Sequence, residues 1–248
     1  MATDNVKFLI CGDSAITVQF GETADIELNL KVNAFNRLLK ENLPRGVIET
    51  LPTYRSLMVY YNPLEIKADS MIAYLKQLVE TLSNETLKPG TLGIRIPVRY
   101  APPGSEIQIV ADYEKKSVEE IIRIHSSNEH YVFMLGFSPG NAYIGCPQKT
   151  FTIPRKATPT KRPYTGSVHV WSNQTGVGGG MGSVTGWYSL GRSPLVPYDT
   201  RQKEPFLFKP GMWIQFYPID DVRYEELEHE IAEMRYEPEY YEHKFTNE

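Results

Sequence analysis

Residues 131–147, YVFMLGFSPGNAYIGCP, carry the sequence feature that most restricts the fold of this chain. An apolar, strand-like run, VFML, leads directly into a loop in which glycine and proline restrict the backbone. The restricted positions are Gly136, Pro139, Gly140, Gly145 and Pro147. A strand that ends in such a rigid loop is a place where the main chain approaches a ligand or a partner. We therefore predict that the functional site includes this loop.

The composition excludes several classes of protein. At 248 residues, with 41% hydrophobic and 12% aromatic residues, the chain can bury a core in one large or two small domains. A net charge of -4 and scattered lysines and arginines argue against nucleic acid and anionic membranes as partners. No segment approaches the ~20 apolar residues of a membrane span, and the first residues lack a secretory pattern, so we expect a cytoplasmic protein.

The cysteines and histidines follow no metal-binding or disulfide pattern. Cys11 and Cys146 are far apart in the sequence and have no CxxC spacing. The five histidines have neither HExxH spacing nor i,i+4 pairing with another histidine or a cysteine. We predict no metal site and two reduced cysteines.

The first ninety residues have the periodicities of a small α+β domain, in which two strand pairs are each followed by an amphipathic helix. The strands are predicted at residues 7–10, 16–20, 47–51 and 57–61, and the helices at residues 25–39 and 69–82. This pattern resembles a ferredoxin-like sandwich, with helices on one face of an antiparallel sheet. We assign residues 1–88 to that domain and predict a linker at residues 83–90, followed by a strand at residues 94–99.

Residues 89–220 are predicted to form an antiparallel β-barrel. A capping box, Ser117 with Glu120, opens a short helix that ends at His125, and after it only strands and Gly/Pro-rich turns are predicted. The strands are expected at residues 131–137, 151–153, 167–171, 187–190 and 213–218. Residues 221–248 are acidic and aromatic, with one weak apolar stripe, and are predicted to form a partly helical tail.

Two literal motif matches fail on physical grounds. Residues 136–140, GFSPG, satisfy the G-x-S-x-G elbow of α/β-hydrolases, whose oxyanion hole uses the backbone N–H after the serine. Here that residue is Pro139, which has no N–H. Residues 176–182, GVGGGMG, match neither GxxxxGK[ST] nor GxGxxG, and no helix-forming sequence follows them. We interpret the second segment as a loop between strands.

Two histidines have two interpretations each. His125 ends the capped helix just before the glycine-rich strand and loop, so it could act as an acid or a base, or it could simply cap the helix dipole. His169 alternates with Val168 and Val170 and therefore lies on the opposite face of its strand. That face could point into the barrel or into solvent.

Residues 154–163, PRKATPTKRP, form a local positive patch with Arg155, Lys156, Lys161 and Arg162. Such a patch suits a carboxylate or a phosphate, and a solvated, proline-stiffened loop explains it equally well. Gln174 and Thr175 follow a predicted strand and could orient a polar substrate, or they could serve the turn alone.

Eight blocks of the sequence occur in the order of a known family. They are CGDSAITVQFG, LPTYRSLMVYYNP, the helix that ends at His125, FMLGFSPGNAYIG, PRKATPTKRPYTGSV, SNQTG, WYSLGRSP and FKPGMWIQFYPI. Over residues 6–220 the chain resembles the family of 5-oxoprolinase B subunits, also labelled allophanate hydrolase subunit 1, carboxyltransferase subdomain C and D, and Kip-type histidine-kinase inhibitor. The resemblance implies a ferredoxin-like domain followed by a cyclophilin-like barrel.

The resemblance also implies a function and a set of partners. It implies a polypeptide, inactive alone, that works with the C and A subunits of the same complex to open the lactam of 5-oxo-L-proline to L-glutamate with ATP. We predict a shared cleft with catalytic roles for His125, Arg155 and Gln174. The predicted substrate-binding residues are Gly136, Phe137, Ser138, Pro139, Gly140, Thr158, Thr175 and Gly176.

Two alternatives stay open at this point. One is a regulatory protein that inhibits a sensor histidine kinase without catalysis. The other is the C/D half of a urea carboxyltransferase or an allophanate hydrolase system. Fold-level kinship cannot choose among these activities.

Overall fold

The computed structural model describes residues 5–82, 90–178 and 183–244. The chain divides into two compact units, Met1–Pro89 and Gly90–Glu248. Residues 83–89 of the predicted linker lie outside the described residues.

In its described part, residues 5–82, the first unit is a four-stranded antiparallel sheet with two helices. Its elements are β1 (Lys7–Cys11), β2 (Ala15–Gln19), α1 (Ile26–Glu41), β3 (Val47–Pro52), β4 (Ser56–Tyr61) and α2 (Ala68–Glu80). The strands lie in the order β1-β2-β4-β3, and α1 and α2 bury their apolar stripes against the sheet. The two strand pairs, each followed by a helix, are present as predicted. A ferredoxin-like motif instead runs β-α-β-β-α-β, so the ferredoxin-like assignment stays a prediction.

Over residues 90–178 and 183–244, the second unit is a β-barrel with three helices. Its elements are β5 (Leu92–Tyr100), α3 (Ile107–Glu114), α4 (Val118–Ser127), β6 (Glu129–Leu135), β7 (Ala142–Gly145), β8 (Thr160–Lys161), β9 (Ser167–Trp171), β10 (Gln174–Gly178), β11 (Val184–Thr185), β12 (Tyr188–Arg192), β13 (Trp213–Pro218), α5 (Asp221–Ala232) and β14 (Tyr240–Glu242). Within the described residues, seven strands close in the order β5-β12-β9-β10-β7-β6-β13. The short strands β8 and β11 pair separately, and β14 adds to β5.

One strand pair departs from the predicted antiparallel barrel. β13 runs parallel to β5, with Ile214 opposite Ile94 and Phe216 opposite Ile96. A parallel pair needs a long crossover connection, and here more than a hundred residues separate the two strands. The sequence pattern of a single strand does not record its direction relative to a distant partner.

One helix of the second unit was not predicted, and two predictions about its strands are wrong. α3 precedes the capped helix, where no helix was predicted. Residues 151–153 are not a strand, although Phe151 and Ile153 are buried, because the Glu114 carboxylate accepts the backbone N–H groups of Thr152 and Ile153 instead. Residues 176–178 belong to β10 rather than to a loop, while residues 179–182 lie outside the described residues.

The helices of the second unit cover parts of the barrel. The capping box of α4 is confirmed: Ser117 Oγ accepts the Glu120 N–H, and Glu120 accepts the Ser117 N–H. Residues 221–244, predicted as part of a tail, form α5 and β14 within the second unit. Among the described helices, none combines the length and the apolar character that crossing a bilayer requires.

Candidate functional site

The candidate site lies on the outer face of β9, β10 and β12. Val168 and Val177 face each other across β9 and β10 and are buried in the barrel core. Side chains alternate along a strand, so His169 and its register partners, Gly176 and Ser189, lie on the opposite face. From the sequence, this face could point into the barrel or into solvent. In the structure it points outward but is covered, because His169 is only 4% exposed.

The cover begins with a buried ion pair. Lys156 Nζ lies 2.6 and 2.7 Å from the two carboxylate oxygens of Glu106, and the lysine side chain is only 9% exposed. The same carboxylate accepts the backbone N–H of Ser189 at 3.0 Å. Lys156 also packs over the ring of Tyr188, with Nζ 5.2 Å from the ring centre. This pair fixes the segment after Arg155 against β12.

A group of hydroxyls continues from that pair toward His169. The hydroxyls of Tyr164 and Ser189 lie 3.1 Å apart, and Ser167 Oγ donates to Ser189 Oγ at 3.1 Å. Burial raises the pKa of Tyr164 above its ordinary value, so its hydroxyl keeps its proton at neutral pH. The site is therefore lined by neutral hydroxyls on one side.

His169 has one ring nitrogen in use and one free. Nδ1 donates to the backbone carbonyl of Ser167 at 2.9 Å, which leaves the lone pair on Nε2. Within the part of the chain that the structure describes, Nε2 has no hydrogen-bond partner. Burial, with the positive charges of Arg162 and Lys156, lowers the pKa of His169 to about 3. The imidazole is neutral at pH 7 and presents an unused acceptor.

Arg162 lies near His169, and no described carboxylate pairs with its guanidinium. Its guanidinium is half-buried, its Nε is fully buried without a hydrogen-bond partner, and it forms no ion pair with any described residue. Burial lowers the pKa of Arg162. A Cβ on Gly178 would lie 2.6 Å from Nη1, so the arginine rests against the bare backbone of β10.

Glycine also makes room for the histidine. A Cβ on Gly176 would lie 2.8 Å from His169 Nε2, closer than real Cβ contacts allow. The edge of Trp187 packs against the imidazole, with ring centres 5.0 Å apart. Gly176 was predicted to bind substrate; in the structure its lack of a side chain leaves space for the His169 ring.

The predicted catalytic residue His125 lies on the other side of the same strands. It is completely buried, and it contacts Phe216 with ring centres 4.5 Å apart. Thr175 Oγ1 donates to the His169 carbonyl, so it accepts from His125 Nε2 at 2.9 Å, and the Tyr100 hydroxyl then donates to Nδ1 at 2.7 Å. Burial, then the neighbouring His130 and His169, lower its pKa. It does not face a cleft, and its catalytic role stays a prediction.

Arg155 and Gln174 lie near one tryptophan at the margin of the site. The exposed Arg155 stacks over Trp171, with its guanidinium carbon 5.5 Å from the ring centre. Gln174 is half-buried and stands opposite Trp171 in the β9–β10 register. Thr158 is exposed on the same connecting segment, and its side chain makes no hydrogen bond with a described residue.

The glycine-rich loop is elsewhere. Residues 136–140 close the β6–β7 hairpin, whereas the other end of β7, Gly145, pairs with Gln174. Phe137 has a positive φ of 73° and is 86% exposed. Only glycine fits at Gly140, because a Cβ there would lie 2.5 Å from the Pro197 carbonyl oxygen. This loop and Gln174 therefore lie at opposite ends of β7, and the shared cleft stays a prediction.

Among the described residues, no three His, Cys, Asp or Glu side chains are grouped as metal ligands. The polar groups of the site are one neutral imidazole, the Lys156–Glu106 ion pair, the Arg162 guanidinium and several hydroxyls. Glu106, Ser167, Trp187 and Ser189 were not predicted; the sequence signal for the last three was their place in the GSV and WYSLGRSP blocks.

Comparison with known proteins supplies the family. The model of the carboxyltransferase domain, subdomain C and D, matches residues 6–208. This chain belongs to that family. Among curated relatives of this carboxyltransferase C and D chain, the B subunit of the 5-oxoprolinase of Bacillus subtilis (strain 168) is 31% identical over 223 residues, which cover 86% of this chain and 92% of the relative. The corresponding 5-oxoprolinase B subunit of Escherichia coli O157:H7 is 32% identical, over 70% of this chain and 78% of the relative.

Solved structures share the fold. A protein named TTHA0988 superposes with a TM-score of 0.70 at 28% identity, covering 83% of this chain. The urea carboxylase of Kluyveromyces lactis superposes with a TM-score of 0.78 over 96% of this chain at 16% identity, a likeness of fold alone. This chain spans 40% of TTHA0988 and 24% of the urea carboxylase.

In this carboxyltransferase C and D chain, three separated sequence blocks meet at the site. Arg162 and Ser167 come from the PRKATPTKRPYTGSV block, Gly176 from SNQTG, and Trp187 and Ser189 from WYSLGRSP. The blocks FMLGFSPGNAYIG and the helix ending at His125 contribute to other parts of the unit.

Proposed function

We propose that this chain is the B subunit of an ATP-dependent 5-oxoprolinase, which opens 5-oxo-L-proline to L-glutamate in a cytoplasmic complex with the A and C subunits. The observation that carries the proposal is the identity of 31% to the Bacillus subtilis protein over 86% of this chain. The chain is inactive alone. We also propose that its two units are ferredoxin-like and cyclophilin-like.

The chemistry of the outer-face site suits the hydrolysis of a cyclic amide. Opening a lactam needs a group that takes a proton from the attacking water and returns it to the departing ring nitrogen, and charges that stabilise the developing oxyanion. His169 Nε2 is an unprotonated acceptor, and the cations of Lys156 and Arg162 are close enough to lower its pKa. An anionic substrate that offsets those charges would raise the basicity of His169.

The three residues predicted from the sequence to be catalytic have supporting roles in this proposal. Arg155 and Gln174 flank Trp171 and orient the substrate at the margin of the site. His125 supports β10 from the inside through Thr175. Residues 136–140 do not adjoin the site, and we assign them no contact with the substrate.

The described residues do not fit a nucleotide site. The sequence has neither GxxxxGK[ST] nor GxGxxG, and Gly176 and Gly178 lie within β10 rather than before a helix. We therefore assign ATP binding to the partner subunits and derive no step of this chain through ATP.

Reconstitution tests the proposal. This chain would be co-expressed with the A and C subunits, and 5-oxoproline-dependent release of glutamate and phosphate would be measured with and without it. We expect turnover only when all three are present. His229→Gln, at an exposed position of α5, is the matched control and should behave as wild type. A stable complex that releases no glutamate would contradict the proposal.

A further inference from the structure

The arginine of the site differs from the other half-buried arginines of the second unit. Arg99 pairs with Asp221 at 2.6 Å, and Arg192 pairs with Glu228 at 3.0 Å. Arg162 has no carboxylate among the described residues, and its Nε is buried without a partner. A cation that loses hydration is costly unless an anion or hydrogen bonds replace the water. Arg162 therefore carries a partly desolvated charge that no described carboxylate offsets.

The imidazole beside it has an unused acceptor. His169 is 4% exposed, yet Nε2 has no partner within the described chain. Arg162 lies against Gly178 and His169 against Gly176, two residues apart on one face of β10. Those positions are about 7 Å apart along a strand. One small molecule can therefore reach both groups.

The other cations are less suited to this role. Lys156 is already held by both oxygens of Glu106. Arg155 is exposed and stacks on Trp171. Among these cations, Arg162 combines a partly desolvated guanidinium, which can bind a carboxylate through two parallel N–H groups, with a position beside the free acceptor.

We propose that Arg162 binds the carboxylate of the substrate and so places the lactam ring beside His169, whose Nε2 stays free to take the proton of the attacking water. This inference rests on the proposed function and specifies the substrate class as a small cyclic amide that carries a carboxylate beside its N–H. Gly176 and Gly178 are the specificity-determining positions, because a methyl group at either would occupy the space of the two side chains.

Binding and turnover would be measured with 5-oxo-L-proline and with 2-pyrrolidinone, the same ring without the carboxylate. Calorimetry on the isolated chain would report affinity, and the reconstituted complex would report KM and kcat. We expect Arg162→Gln to raise KM and the dissociation constant for 5-oxoproline about 10- to 100-fold, the range of a lost charge-assisted hydrogen bond. Arg162→Lys should recover part of the lost affinity for 5-oxoproline. The wild-type protein should bind 2-pyrrolidinone weakly, and neither substitution should change that affinity.

Gly178→Ala provides a second variant in which Arg162 is still present. Its added methyl group displaces the guanidinium, so KM should rise in the same direction as for Arg162→Gln. An unchanged KM in both variants, equal affinity for the two ring compounds, or no saturable binding of 5-oxoproline would overturn the inference. Carboxylate binding that depends on Arg162 in a complex without turnover would refute the proposed function and leave this anion site standing.

Discussion

Two buried histidines lie on opposite faces of the β9–β10 pair, and the comparison between them separates structure from chemistry. His125, on the core side, uses both ring nitrogens, with Tyr100 and Thr175. His169, on the outer side, uses Nδ1 alone among the described residues. Burial lowers the pKa of both. A perturbed pKa therefore does not distinguish the two, whereas unused hydrogen-bonding capacity beside an arginine without a carboxylate does.

The largest expected effect is that of His169→Asn on turnover. The asparagine amide can still donate to the Ser167 carbonyl, while the acceptor at Nε2 is lost. We expect kcat of the reconstituted complex to fall at least ~100-fold, the low end for loss of a general base, with assembly unchanged. Assay of glutamate release beside His229→Asn, an exposed control, checks this; a kcat within a few-fold of wild type would contradict it.

The next effect is that of His125→Ala on stability. The substitution leaves a cavity beside Phe216 and removes the partners of two buried hydroxyls, those of Tyr100 and Thr175. We expect the free energy of unfolding to fall by about 3 kcal/mol, measured by urea denaturation. Activity per folded molecule should stay within a few-fold of wild type. A large loss of kcat in well-folded protein would contradict this and indicate that catalysis takes place on the core side of β9 and β10.

A smaller effect is expected on the acid dependence of stability. The folded pKa of His169 is about 3 and that of His130 about 4, both below the unfolded value of 6.5. The unfolded chain therefore binds protons that the folded chain excludes, and stability falls as pH decreases from about 6.5 toward 4. Each such histidine contributes roughly 2 kcal/mol of that loss between pH 7 and pH 5.

Removing one histidine isolates its share. Urea denaturation of His169→Asn at pH 7 and pH 5 should show a loss of stability about 2 kcal/mol smaller than that of wild type. His229→Asn, changed at an exposed position, should lose as much as wild type. If His169→Asn and wild type lost equal stability, His169 would not be the desolvated imidazole described above.

The smallest expected effect is that of Gly176→Ala. The new Cβ would start 2.8 Å from His169 Nε2, and the buried ring can yield only slightly. We expect kcat to fall about 10-fold, which corresponds to about 1.4 kcal/mol. Val177→Ala, one residue along on the core side, is the control and should affect stability more than kcat. The reverse ranking would contradict the assignment of the outer face.

Local patterns predicted most of the individual elements. The capping box of α4 is a contact between residues three apart, so Ser117 and Glu120 revealed it directly. β10 was not predicted in full because glycine disfavours strands. Glycine occurs at positions 176 and 178 because the side chains of His169 and Arg162 fill the space that a Cβ would need there. Residues 151–153 alternate like a strand, but the N–H groups of Thr152 and Ile153 donate to Glu114, a side chain distant in sequence.

The site was predicted only in part for the same reason. Alternation placed His169 opposite Val168 and Val170, but period two cannot say which face is covered. Trp187 packs against the imidazole from one segment, and Arg162 and Lys156 of another segment are near enough to lower its pKa. The catalytic role of His125 was predicted from its position before the glycine-rich loop. The packing of α4 in the structure shows that both of its ring nitrogens are hydrogen-bonded.

The most direct test of the account is to see which histidine responds to substrate. The chain would be labelled with 15N-histidine and titrated with 5-oxo-L-proline, and the ring nitrogens would be followed by NMR, with His125→Asn and His169→Asn used for assignment. We expect the Nε2 signal of His169 to shift saturably while the signals of His125 stay fixed. A saturable shift of His125 with His169 unmoved would contradict the placement of the site on the outer face.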